Sequence, residues 1–216
     1  MIPARGVRAV RLAVAVFMTV MAGCARLPYE TVSIQQTDRL HVVLQREVEP
    51  VAYAHPADLT AADLAPVLAG FSIRPQPSLP LRWYAEEVPP SRLFRADEIQ
   101  VLAPALAEAL RRAGPQERVA FALLAPGMNP RYDRDVLGGW LALRNGLLHL
   151  TIDYFHVPQP ATRFSPYDMN YPTPPSGPGA YVLYFEPGRF WVLDEATKGR
   201  GVDVRGFLKS APRVAP

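Results

Sequence analysis

The chain predicts an α+β fold in which a mainly antiparallel sheet of about six or seven strands carries two helices packed on one face. Three observations lead there. Apolar residues recur at helical spacing in residues 60–70 and 96–113. Asn145-Gly146 separates two apolar runs and is the strongest short-range hairpin signal. The remaining hydrophobic segments are short, rich in β-branched and aromatic residues, and divided by Pro, Gly and Asn.

Residues 40–47 predict the first strand. Thr60 then opens a short helix: its hydroxyl can cap free amides while Asp63 reaches back, and Gly70 stops it. Residues 71–73 and 81–85 predict two further strands among proline-rich stretches. The longer helix, 96–113, carries Ile99, Leu102, Leu106 and Leu110 at spacings of three and four, which makes one apolar stripe. Arg95 is its N-cap position, Phe94 and Ile99 are placed as a hydrophobic staple, Glu98 stands at the third helical position, and Gly114-Pro115 ends it. Pro66 and Pro104 lie inside the two helices in similar Leu-Ala-Pro contexts. The likeness hints at a duplicated unit, but a chain this rich in Ala, Leu and Pro produces it equally well by coincidence.

Residues 118–124 predict a buried strand. With Asn145-Gly146 as a two-residue turn, Leu143 pairs with Leu148, Ala142 with His149 and Leu141 with Leu150. That register places Leu141, Leu143, Leu148, Leu150, Ile152 and Tyr154 on the core side and Trp140, Arg144, His149, Thr151 and Asp153 on the other. A second hairpin is expected from 180–186 and 189–194 around Pro187-Gly188, setting Phe185 against Phe190 and Tyr184 against Trp191.

The start of the chain speaks to location. Arg5, Arg8 and Arg11 precede an apolar run of about a dozen residues, which small residues then close. That run is shorter than the ~20 residues a spanning helix needs. Met21-Ala22-Gly23-Cys24 follows and holds the only cysteine of the 216 residues. This layout resembles the signal peptide and lipobox of bacterial lipoproteins, with Met21 where leucine is commonest. The resemblance implies cleavage before Cys24, acylation of its thiol and a stable anchor through two or three chains such as palmitate. It also implies, from Ala25 in place of aspartate, the periplasmic face of the outer membrane. The folded body itself resembles no family. The expected organisation is a signal peptide over 1–23, a lipidated tether over 24–37 reaching at most about 45 Å, a single domain over 38–208 and a C-terminal tail over 209–216.

The net charge of +3 resides in the leader, whose three arginines face no acid. The rest is neutral, which argues against a nucleic-acid partner. A single cysteine excludes an intramolecular disulfide and a thiolate metal site, and His41, His55, His149 and His156 never stand at metal-ligand spacing. No phosphate loop, nucleophile elbow or zinc-protease motif is present, so no catalytic residue, metal or cofactor is assigned.

Two regions attract functional attention. Residues 157–179 hold seven prolines around Phe164, Tyr167, Asp168, Asn170 and Tyr171, and aromatic rings on a stiff backbone bind at low entropic cost. The competing account is a flap that covers a sheet edge. The polar hairpin face, with His149, Thr151 and Asp153, fails as a catalytic triad because His149 and Asp153 stand about 13 Å apart along a strand. A solvated or covered sheet face explains it better. Glu86-Glu87 and Asp133-Arg134-Asp135 are carboxylate-bearing but unspecific. The expected role is therefore a non-enzymatic binding or assembly accessory protein of the cell envelope. The alternatives are a lipid-anchored periplasmic hydrolase and a carrier of a small apolar ligand.

Overall fold

A computed structural model describes residues 28–49, 51–76, 88–160 and 181–210. It is α+β, mostly antiparallel sheet. Seven strands form the main sheet in the order β1-β2-β5-β6-β7-β10-β9: β1 Tyr29–Gln36, β2 Leu40–Arg46, β5 Glu117–Pro126, β6 Asp133–Arg144, β7 Leu147–Pro160, β9 Trp191–Leu193 and β10 Arg200–Asp203. A second sheet, β4-β3-β8, joins Ser91–Arg92, Phe71–Pro75 and Tyr181–Phe185. The helices are α1 Ala61–Ala69, α2 Ala96–Arg112 and α3 Val204–Ser210. Among the described residues, no helix is long and apolar enough to cross a membrane.

The helix signals hold in detail. Thr60 caps α1, its hydroxyl accepting from Asp63 N at 3.2 Å while Thr60 N donates to the Asp63 carboxylate at 3.0 Å. Arg95 N donates to Glu98 Oε2 at 2.7 Å at the start of α2. Leu102, Leu106 and Leu110 are fully buried, as the stripe requires, and α2 packs on β1, β2 and β5. From the sheet, Leu40, Val42, Leu44, Val119, Leu137 and Leu141 enter the same core. Burying such side chains contributes about 1.5–3 kcal/mol each.

The central hairpin has the expected register: Leu143 opposes Leu148, Ala142 opposes His149 and Leu141 opposes Leu150. Asn145 and Gly146 both take positive φ, 51° and 80°, which a two-residue type I′ turn demands. His55 locks the neighbouring strands. Its Nδ1 lies 2.8 Å from Glu117 O and its Nε2 accepts from Leu143 N at 3.0 Å, so Nδ1 carries the proton and the ring is neutral. Burial lowers its pKa in the same sense.

Four expectations need correction. Residues 29–36, read as part of a tether, form edge strand β1. Thr31 and Ile34 are extra residues at two register shifts against β2, and this breaks the alternation that would have marked a strand. Thr31 Oγ1 turns inward to Glu117 Oε1 at 2.6 Å. The second hairpin does not form: β8 pairs with β3 and β9 with β10, in different sheets. Proline cannot take the positive φ that a tight hairpin turn needs first, and Pro187 instead leads into a 3-10 turn over Gly188–Phe190 that changes sheets.

Third, β7 continues through Val157, Pro158 and Pro160, where a loop was expected. Prolines fit because, beyond Leu148, β7 pairs only with β6 among the described residues, and the far side needs no donor. Fourth, Tyr154 faces away from the main core. Gly138 opposes Tyr154 while Gly139 opposes Ile152, so Asp153 is an extra residue that reverses the pattern. Tyr154 joins Leu124 and Val136 in a separate small cluster. The expected strand at 81–85 lies outside the described residues.

Gly139 makes that bulge sterically feasible. A Cβ there would overlap Thr151 O and stand 3.0 Å from Ile152 Cα, both backbone atoms that cannot step aside. Gly139→Ala should therefore lower stability by about 1–3 kcal/mol in a chemical denaturation curve, whereas Gly146→Asn, in open space at a positive φ that asparagine tolerates, should cost less.

Candidate functional site

Beyond Leu148 the outer edge of β7 has no described strand beside it, and a cleft of about 620 Å³ opens there. Its walls come from Leu150 to Asp153 of β7, Tyr181 to Leu183 of β8 and Trp191 and Arg200 of the β9–β10 ribbon. Trp140 and Arg144 of β6 and Tyr53 of the segment before α1 complete the lining. The volume is in the range of small-molecule and peptide sites. Most of the wall is apolar or aromatic, which gives the few charged groups unusual weight.

Asp153 is the most distinctive of these. It lines the cleft with His149 and Thr151 of the same strand, and among the described residues its carboxylate has no hydrogen bond and no ion pair. Burial raises its pKa, and the Arg118 charge opposes that only in part. Arg118 is already committed. It donates to Gln45 Oε1 at 3.1 and 3.2 Å, pairs with Glu47 Oε1 at 3.1 Å and lies 4.7 Å from the centre of the Trp140 ring. Tyr53 adds a hydrogen bond to Glu47 Oε1 at 3.2 Å. Burial and the Glu47 charge push the phenol up to about 12, so it stays protonated.

His149 lies at the hairpin end of the cleft. Its Nε2 stands 3.3 Å from Asp194 Oδ2, without the alignment of a hydrogen bond. Burial lowers the His149 pKa against the pull of Asp194, leaving a neutral ring. Asp194 is held by Ala196 N at 3.0 Å, Thr197 Oγ1 at 3.0 Å and Asn145 Nδ2 at 3.2 Å. Burial works upward on this carboxyl, but those three donors outweigh it and keep its pKa low. The arrangement ties β7 and the hairpin turn to the loop before β10. It lacks a nucleophile: Thr197 donates to Asp194 itself, and no other hydroxyl among the described residues bonds the ring.

The sequence-assigned binding residues Phe164, Tyr167, Asp168, Asn170 and Tyr171 lie outside the described residues, as do Cys24 and Glu86-Glu87. The polar hairpin face fares differently. Trp140, Arg144, His149, Thr151 and Asp153, read as a solvated or covered face, all line the cleft. His149 and Asp153 do not meet, in keeping with the strand spacing; the acid beside His149 is Asp194, 45 residues further along. A local signal for Asp194 exists in Asp194-Glu195-Ala196-Thr197, an aspartate-led turn whose side chain caps the next two amide and hydroxyl donors. The run Asp133-Arg134-Asp135 is at the far end of the sheet, where Asp135 bonds His156 Nδ1 at 2.7 Å. Among the described residues no three His, Cys, Asp or Glu side chains converge on a common point.

Comparison of the chain with protein-family models, curated proteins and solved structures finds no match.

An acid whose folded pKa lies above its unfolded value destabilises the native state once both forms differ in charge. The penalty is full above the raised pKa, shrinks as pH falls through it and vanishes below the ordinary aspartate range near 3.8. Asp153→Asn should therefore raise Tm at pH 7 and leave it unchanged at pH 3, a comparison that thermal melts at the two pH values make directly.

Proposed function

We propose that this chain is a lipid-anchored cell-envelope protein that acts by binding, holding a partner in the cleft beside the free edge of β7. The observation that carries the reading is the cleft itself: a cavity of about 620 Å³ with aromatic walls and a carboxylate that has no partner among the described residues, at a strand edge that no described strand pairs beyond Leu148. Such edges are the usual sites of strand addition. The neutral His149, beside Asp194 and with no nucleophile bonded to it among the described residues, favours binding over hydrolysis.

The leader supports the location. Acylation of Cys24 would fasten the body to the outer membrane on its periplasmic side, and Ala25 fits that sorting. Because β1 starts at Tyr29, only four residues separate the anchor from the sheet, a reach of roughly 15 Å. The β1 edge would then lie close to the lipid, with Tyr29, 51 % exposed, at its start. A second reading, a carrier for a small apolar ligand, draws on Val51, Leu150, Ile152 and Leu183 in the cleft wall. Asp153 counts against it, since a carrier gains nothing from an unneutralised carboxylate in an apolar cavity.

Two measurements test the proposal. Cys24→Ala should move the protein from the membrane pellet to the soluble fraction, and unchanged sedimentation would refute the anchor. A photoreactive amino acid in place of Val182 should capture a defined envelope component in cells; capture of bulk lipid alone would refute the binding role.

A further inference from the structure

We propose that the occupant of the cleft is an extended peptide segment of a partner protein, which pairs with the free edge of β7 and sets a lysine or arginine side chain against Asp153. The inference rests on the binding role proposed above and names its ligand class.

Shape supports an extended chain. The cleft lies between two strands with an edge that no described strand pairs: β7 pairs only with β6 beyond Leu148, β8 pairs only with β3, and residues 150–153 and 181–183 both line the gap. A strand laid there would find backbone donors and acceptors on β7. Pro158 and Pro160 supply no N–H further along, which limits pairing to the stretch before them. Leu150, Ile152 and Leu183 offer apolar contact to alternate side chains of the guest.

Charge supports a basic residue. Asp153 is the carboxylate in the cleft wall that nothing described neutralises, and it lies on β7 at the bulge opposite Gly138 and Gly139. The cationic groups nearby are engaged or distant. Arg118 is bound by Gln45, Glu47 and the Trp140 ring, and Arg200 Nη1 donates to Trp191 O at 3.0 Å. Arg144 opposes Leu147, six residues before Asp153 and so about 20 Å away along the strand. A guest ammonium or guanidinium would complete the charge of Asp153 inside a half-buried site through a charge-assisted hydrogen bond.

The test uses the full chain and four capped nonapeptides of alternating threonine and valine, whose central residue is lysine, arginine, norleucine or glutamate. Fluorescence polarisation should show the lysine and arginine peptides binding about tenfold or more tightly than the norleucine peptide, and the glutamate peptide weakest. Asp153→Asn should erase the preference for lysine and arginine, and methylation of alternate peptide amides should weaken all four. Melting curves confirm that the variant is folded. Equal binding of all four peptides, or binding of none, overturns the proposal. So does a photoreactive group at position 182 that crosslinks to residues 161–180 of the same chain and is not displaced by the lysine peptide. Capture of an envelope partner at position 182 together with no lysine preference would leave the binding role standing and remove only this inference.

Discussion

Much of the structure turns on the extra residue that β7 carries at Asp153, one of two register shifts against β6. The ribbon formed by β6 and β7 runs the length of the main sheet, and a strict two-residue alternation would give it a single apolar face from the hairpin turn outward. Asp153 interrupts that pattern opposite Gly138 and Gly139. Before the bulge, Leu148, Leu150 and Ile152 enter the main core. After it, Tyr154 faces the other way and finds its own small cluster. The bulge is sterically conditional on a glycine, because the backbone of Thr151 and Ile152 lies where a Cβ of residue 139 would sit. A device that demands a glycine in a central strand weakens local stability. At the bulge, Asp153 lines the aromatic cleft together with His149 and Thr151.

The rest of the sheet compensates with well-satisfied polar ties. Glu117 at the start of β5 accepts from Thr31 Oγ1 at 2.6 Å and Gly114 N at 2.9 Å and lies 3.8 Å from Arg46. These partners outweigh the opposing effect of burial and lower its pKa, and they bind the edge strand β1 to the interior. His55 performs the same service between β5 and β6 with both ring nitrogens engaged. Asp194 does so for the β9–β10 loop. Each of these buried polar groups is held by several partners, which makes the isolation of Asp153 a property of that position rather than of the fold.

How much was legible in the sequence follows from how local each signal is. Both capped helices, the Asn145-Gly146 turn and the register of Leu141 to Leu150 depend on residues within a few positions of one another, and the structure places them as expected. The errors arise where a distant partner or an extra residue decides. Strand β1 looked like a tether because two bulges hide its period. Phe185 and Phe190 looked like a cross-strand pair, yet Phe185 packs on Phe71 and Phe207, more than a hundred residues apart in sequence. The candidate site was half visible: its residues on the polar hairpin face were identified, but their enclosure depends on β8 and on the β9–β10 ribbon, which no local pattern announces.

The proposed use of the cleft therefore depends on the state of one side chain. A carboxylate that is half-buried, aromatic-walled and without a partner behaves differently from one that is hydrogen-bonded, and its titration reports the difference. Carbon-13 NMR of the Asp153 carboxyl across a pH series is the direct measurement. The account predicts a midpoint above the ordinary aspartate value near 3.8 in the isolated protein. A midpoint at or below that value would mean that Asp153 already has a donor or a cation beside it, and the cleft would lose the feature on which its proposed use depends.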